Sequence, residues 1–336
     1  NTSHGFVPWD DLHHTEMSQT NGEVDGRWVF GNANNTPRIA RIDLKTFKTA
    51  EIIELPNSGG NHSSPFITEN TEYVVAGTRF SVPGDYENGD VPINTYKENY
   101  KGHISFVKVG KEGEMDIAFQ IMTPGVNFDL SHAGKGKSHG WFFFSCYNTE
   151  QANTLLEVNA SQKDKDFIMA VNWKKAEEYV KAGKGKKQKV RYAHNTWDEA
   201  THSAKSEIKT EVLVLDASEL KDICYMIPCP KSPHGCDVDP TGEYIVGSGK
   251  LAALIPVFSF DKLQSAIKGK KFEGDYGGIP VVKYEAALHG EVQKPGLGPL
   301  HTEFDGKGNA YTTMFVSSEV VKWDIKTLKV LDRVPT

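Results

Sequence analysis

Three stretches of this chain repeat one pattern closely enough to limit what it can fold into. Arg38-Ile39-Ala40-Arg41-Ile42 runs into Asp43-Leu44-Lys45-Thr46-Phe47-Lys48 and returns as Ala50-Glu51-Ile52-Ile53. Val320-Val321-Lys322-Trp323 runs into Asp324-Ile325-Lys326-Thr327-Leu328-Lys329 and returns as Val330-Leu331. Between them, Val212-Leu213-Val214-Leu215 meets Asp216-Ala217-Ser218-Glu219-Leu220-Lys221 and returns as Ile223-Cys224-Tyr225-Met226-Ile227. Alternating apolar residues on both sides of a polar turn predict an antiparallel hairpin. Two looser copies are His103–Gly110, turning at Lys111-Glu112-Gly113, and Ile255–Phe260 followed by Asp261-Lys262-Leu263. Five such units, each an inner strand plus an outer hairpin, predict an all-β fold, a β-propeller of about five blades. The blade spans are approximately 14–56, 61–123, 130–228, 233–284 and 300–335. The third holds a small helical insertion, with a helix predicted over Lys174–Ala182 and the basic run Lys184–Lys189 as a solvated loop. The second carries a long Gly-, Pro-, Asn- and Tyr-rich loop at Ser81–Lys101.

Histidines recur at one point of these units. Asp11-Leu12-His13-His14 is echoed by Asn61-His62-Ser63-Ser64, Pro233-His234-Gly235-Cys236 and Leu300-His301-Thr302-Glu303, each followed by a polar turn and a short apolar strand. Repetition at one point of a repeated unit predicts a ring of imidazoles facing one place, a metal site. Neutral imidazole is a borderline-soft donor suited to copper, zinc, iron or nickel. Five nitrogen ligands exceed the needs of one tetrahedral ion, which points towards a cluster, with copper the best match. Adjacent His13 and His14 would face opposite ways in a regular strand, so both reach one site only from a loop or bulge, or by binding different metals. His4, His103, His194, His202 and His289 lack the repeated setting, and His132 and His139 stay outside the ligand set.

Composition excludes other classes. A net charge of −6 argues against non-specific nucleic-acid binding, which needs a basic face. No apolar run approaches the roughly 20 residues of a membrane span. No signal peptide is legible and the chain does not begin with Met, which reads as a processed or truncated product. Cys146, Cys224, Cys229 and Cys236 lack paired C-x-x-C spacing. They read as packing residues, with a Cys224–Cys229 disulfide only if a bend brings them together.

Several of these stretches resemble one family. Asp11-Leu12-His13-His14 with Asp25-Gly26-Arg27-Trp28-Val29-Phe30 and Pro37-Arg38-Ile39-Ala40-Arg41 resembles the opening of nitrous-oxide reductase. Lys231-Ser232-Pro233-His234-Gly235, with Gly249-Lys250-Leu251 after it, resembles the central motif. Gly296-Leu297-Gly298-Pro299-Leu300-His301-Thr302-Glu303-Phe304-Asp305-Gly306-Lys307-Gly308-Asn309-Ala310-Tyr311-Thr312-Thr313 is the most specific match, and the likeness runs from about Trp9 to Thr336.

The resemblance implies a seven-bladed propeller that holds a four-copper, sulfide-bridged cluster (CuZ) through seven histidines. His13, His14, His62, His234 and His301 match the first five. Residues 1–336 would then be a partial propeller of about five blades. The remaining blades, the last two ligands and a C-terminal cupredoxin (CuA) domain would be absent, and this chain alone is expected to be inactive. Asp11 matches a carboxylate that orients an imidazole. Tyr147, Glu150, Val158 (through its carbonyl) and Asp164 match a calcium site, oxygen donors as calcium prefers. Ser232 stands where the family has asparagine, which puts the fifth calcium ligand in doubt. The implied reaction is the two-electron, two-proton reduction of nitrous oxide to dinitrogen and water, the last step of denitrification. It implies a periplasmic homodimer with a c-type cytochrome or cupredoxin as electron donor. Two other classes remain open on the residues alone, a non-catalytic propeller that binds proteins or peptides and a calcium-dependent propeller hydrolase. The repeated histidine, where such a hydrolase would place carboxylates and asparagine, counts against the second.

Overall fold

The repeated turn closes through its aspartate. Asp43 Oδ1 accepts from the backbone N–H of Lys45 and of Thr46, both at 2.8 Å, and Asp324 Oδ1 does the same for Lys326 (3.1 Å) and Thr327 (2.7 Å). This is the Asx turn that Asp offers a chain reversing direction. The residue four on, Phe47 (φ 54°) or Leu328 (φ 60°), takes the left-handed conformation that starts the returning strand.

The computed structural model describes residues 12–34, 36–84, 95–147, 165–189, 197–198, 203–204 and 211–336. Those residues are mostly β, with a few short helices, in five main sheets and a two-strand ladder of Trp197–Asp198 with Ser203–Ala204. The first sheet is a four-strand meander, Thr15–Thr20, Glu23–Ala33, Arg38–Asp43 and Lys48–Glu54. The fourth is Pro233–Val238, Tyr244–Gly249, Leu254–Ser259 and Leu288–Gln293, and the fifth is Pro299–Phe304, Asn309–Met314, Glu319–Asp324 and Val330–Pro335. The second sheet begins with Ser63–Ile67 and the third with Asn127–Ala133, and each is extended outward by further strands.

Consecutive sheets stack face to face with an apolar layer between each pair. Phe30, Ile39 and Leu55 meet Ile67, Val74 and Val107 between the first and second. Phe106 and Phe119 meet Phe128, Phe142 and Phe144 between the second and third. Phe143, Ile168 and Ile227 meet Val238, Ile245 and Phe258 next, and Val246, Ile255 and Val257 meet Ala310, Val321 and Trp323 last. Burying such side chains is worth about 1.5–3 kcal/mol each, which is what holds otherwise separate meanders together. The first strands of successive sheets lie against one another, so the five starts converge.

Three sequence expectations need correction. The Asp216 turn forms, with Asp216 Oδ1 accepting from Ser218 N–H at 2.9 Å, but its two strands are not a hairpin. Glu211–Asp216 joins the second sheet, parallel to Met115–Pro124, whereas Cys224–Pro230 joins the third beside Lys165–Asn172. The turn is therefore a crossover between sheets. In the fourth unit, Leu254–Ser259 leads into a helix, Phe260–Lys268, capped by the Ser259 side chain, instead of a hairpin. Phe272–Tyr276 and Ile279–Val282 then extend the third sheet before Leu288–Gln293 completes the fourth. Lys186–Lys189 is an outermost strand of the second sheet rather than a loop, its lysines exposed where charge discourages edge-to-edge pairing. The insertion helix falls at Trp173–Lys181, as expected, with Asn172 as its cap. The four cysteines are free and buried, with no disulfide.

Candidate metal centre

The five histidines stand at the starts of four first strands. His13 and His14 lie in non-regular backbone just before Thr15–Thr20, where strand alternation does not force them apart. Asn32 pins that segment, its Oδ1 accepting from both His13 N–H (3.1 Å) and His14 N–H (2.7 Å) while its amide donates to the Asn61 carbonyl (2.7 Å). His62 directly precedes Ser63–Ile67. His234 sits where the register slips between Pro233 and Gly235, and His301 where it slips between Pro299 and Thr302. Such bulges re-aim a side chain that regular pleating would send elsewhere.

The rings meet. Centroid separations are 4.5 Å for His13–His14, 4.6 Å for His13–His62, 4.7 Å for His14–His62, 5.9 Å for His62–His234 and 4.7 Å for His234–His301. Ring nitrogens of His13, His14 and His62 lie within 4.8 Å of one another, a group that could hold a metal ion. His234 Nε2 and His301 Nε2 are 3.1 Å apart.

Three rings are held by Nδ1. His14 Nδ1 donates to the His62 carbonyl at 2.9 Å, His62 Nδ1 to the Asp129 carbonyl, and His234 Nδ1 to Asp129 Oδ2 at 2.7 Å. Oxygen acceptors on Nδ1 fix the proton there, so a neutral ring keeps its lone pair on Nε2. Burial, the largest influence, lowers His14 to about 4 and His62 to about 3, although their oxygen partners oppose it. Burial and the neighbouring His234 lower His301 too. Neutral imidazole is the ligand form.

Asp129 is the residue on which the arrangement turns. It lies at a bulge in Asn127–Ala133, with only 4% of its side chain exposed. Its Oδ1 is 3.1 Å from His62 Nδ1, and its Oδ2 receives both His234 and the Lys250 ammonium, the latter at 2.9 Å. Burial alone would raise the Asp129 carboxyl, but His234, Lys250 and His62 outweigh it and hold it far below the usual carboxylate range. Sequence reasoning missed Asp129, Lys250 and Asn32 as site residues. A lone carboxylate between Phe128 and Leu130 in the strand Asn127–Ala133 was the available signal for Asp129. Lys250 was visible only as a motif letter, and Asn32 carried no signal.

The donor set fits a transition metal. Two nitrogens each about 2.0 Å from one first-row ion stand roughly 2.8–3.3 Å apart for bond angles between 90° and tetrahedral. The 3.1 Å between His234 and His301 falls in that range. His132 stands apart from the five, its Nδ1 3.8 Å from Asp237 Oδ1, and His139 pairs with Glu69 at 2.8 Å.

Of the other sequence-stated site residues, Asp11, Glu150, Val158 and Asp164 lie outside the described residues. Tyr147 and Ser232 are both buried. Ser232 N–H donates to Asp166 Oδ2 at 3.0 Å, and its hydroxyl has no hydrogen-bond partner among the described residues, which suits an oxygen donor to a cation.

Fold and site together define a mostly β protein with a carboxylate-braced histidine cluster that could hold a metal ion. The particular likeness is to nitrous-oxide reductases, and it extends over nearly the whole chain. Identity to the Stutzerimonas stutzeri enzyme is 31% over 321 residues, covering 94% of this chain and 44% of that protein. The Pseudomonas fluorescens enzyme is 29% identical over 324 residues and the Cupriavidus necator enzyme 31% over 329, with the same two coverages. The chain thus spans less than half the length of the curated relatives it matches, and the resemblance read from its motifs holds. No family model matches. Among solved structures, dihydro-heme d1 dehydrogenase NirN in complex with DHE aligns over 98% of this chain and 57% of that one, at 10% identity. The TM-score is 0.40. No helix among the described residues is long and apolar enough to cross a membrane.

Proposed function

We propose that this chain is the histidine-bearing part of a nitrous-oxide reductase, its sheets forming about five blades of a seven-bladed propeller. His13, His14, His62, His234 and His301 would hold the copper cluster. The observation that carries this reading is the meeting of five imidazoles at the starts of adjoining strands, three of them with Nδ1 tied to oxygen. The five stacked sheets support the propeller, and the similarity along the chain supports the activity. When bound, reduced copper would supply electrons to nitrous oxide, a weak ligand and inert oxidant. The chain's own part is to present neutral Nε2 atoms in fixed positions. Asp129 keeps His62 and His234 in the ligating tautomer, and Asn32 holds the backbone that carries His13 and His14. Calcium at Tyr147, Glu150, Val158, Asp164 and Ser232 belongs to the same reading. So do a periplasmic location, a homodimer of the longer protein, and a c-type cytochrome or cupredoxin donor.

The test is copper and sulfide analysis of the full-length gene product, followed by nitrous-oxide consumption with reduced viologen. Substitution of His62 or His234 by alanine is expected to remove copper and activity together. Full-length protein that binds no copper, or that keeps its copper without these histidines, would refute the reading.

A further inference from the structure

Lys250 joins parts of the molecule that the sequence keeps far apart. Its backbone N–H donates to the Ser232 carbonyl at 2.9 Å, just beyond the strand Tyr244–Gly249. Its ammonium lies 5.3 Å from the centre of the Tyr147 ring, within the range of a cation–π contact, and 2.9 Å from Asp129 Oδ2. Only 11% of the side chain is exposed, so the charge is held between protein groups and not in bulk water. Lys137 is the contrast. It bridges Glu243 at 3.0 Å and Asp261 at 2.6 Å with 52% of its side chain exposed, an ordinary surface pair.

The Asp129 carboxylate needs a second fixed point. Its terminal torsion is broad and roughly two-fold, so one hydrogen-bonded imidazole leaves it room to turn. Turning it would swing His234 on Oδ2, while His62, whose Nδ1 donates to the Asp129 backbone carbonyl, has Oδ1 beside it at 3.1 Å. A buried ammonium on Oδ2 removes that freedom, and its charge-assisted bond is stronger than a neutral one.

We infer that Lys250 is a positioning residue that locks the Asp129 carboxylate and so aims His234 at the metal centre it would share with His62. The inference rests on the proposed reading that these histidines hold a metal. Lys250 touches neither metal nor substrate and acts only through Asp129. Its anchors, the Ser232 carbonyl and the Tyr147 ring, belong to the stretch where calcium is proposed, so the two sites would be mechanically joined through one side chain.

The test measures copper(I) affinity of the full-length gene product by competition with a chromophoric chelator, and the nitrogen hyperfine pattern of the copper(II) form by electron paramagnetic resonance. Loss of a group that braces metal ligands typically weakens metal affinity about 10–100-fold, and that is the loss expected for Lys250→Met. Its nitrogen hyperfine pattern should change as well. Lys250→Arg, which keeps charge and donor, should recover most of the affinity, and Lys137→Met should leave it unchanged. Asp129→Asn should weaken binding by itself, and adding Lys250→Met to it should cost little more, since the lysine acts through that carboxylate. Far-UV circular dichroism checks folding; if Lys250→Met does not fold, Lys250→Gln is read in its place. Unaltered affinity and spectrum in the neutral variant, or full additivity with Asp129→Asn, would overturn the positioning role while leaving the metal reading intact. Wild-type full-length protein without histidine-bound copper would overturn both.

Discussion

Gly235→Ala is the sharpest test of how the site is built. Gly235 follows His234, and a Cβ there would lie 2.2 Å from the Leu300 carbonyl oxygen, 2.8 Å from Asp237 Oδ2 and 3.2 Å from Ser248 Cβ. Real Cβ atoms essentially never come closer than 3.0 Å, so the strand carrying Leu300 and His301 must retreat by at least 3.0 − 2.2 = 0.8 Å. The obstacle is backbone, which cannot rotate aside. If the retreat is along the line between the rings, the His234–His301 separation grows from 3.1 Å to about 3.9 Å. Two nitrogens each about 2.0 Å from one ion reach that distance only in a nearly linear arrangement. Shared binding by the pair is then lost, and copper affinity is expected to fall about tenfold or more, a difference of roughly 1.4 kcal/mol. Overpacking of this kind costs about 1–3 kcal/mol of stability. Chelator competition reads the first effect and urea denaturation the second. Wild-type affinity with an unchanged urea midpoint would show that the contact between Gly235 and Leu300 does not set the distance between the two histidines.

Other consequences are as direct. In the metal-free chain, His14 (about 4) and His62 (about 3) stay neutral when folded, while their unfolded counterparts take up protons below about 6.5. Their contribution to stability is therefore complete above pH 6.5 and declines as pH falls towards about 4. The urea midpoint should be lower at pH 5 than at pH 7.5, and His62→Asn should flatten that slope. Phe106→Ala removes a fully buried ring stacked 4.7 Å from Phe119, and is expected to cost about 3–5 kcal/mol in urea denaturation. The thiols of Cys146, Cys224 and Cys236 are pushed up by burial, and Cys229 is equally enclosed. All four should resist a disulfide reagent in the native chain and react together in urea; fast reaction without urea would contradict the burial.

What the sequence determined by itself was local or repeated. The turns at Asp43 and Asp324 were legible because an Asx turn is made by residues two and three apart. The insertion helix was legible because its apolar spacing is internal to the helix. Recurrence singled out the five histidines, since each stands at the same point of a similar unit. The Asp216 turn misled because its own chemistry is that of the others. Whether the outgoing strand doubles back or crosses to the next sheet depends on which sheet edge is open, and no short window of sequence carries that. Tertiary structure alone decided the bracing of the site. Asp129 meets His234 across 105 residues and Lys250 across 121, and Asp129 itself has no period or motif to announce it. A buried carboxylate is tolerable only where opposite charge and N–H donors surround it, and those partners come together only when the first strands of the stacked sheets converge.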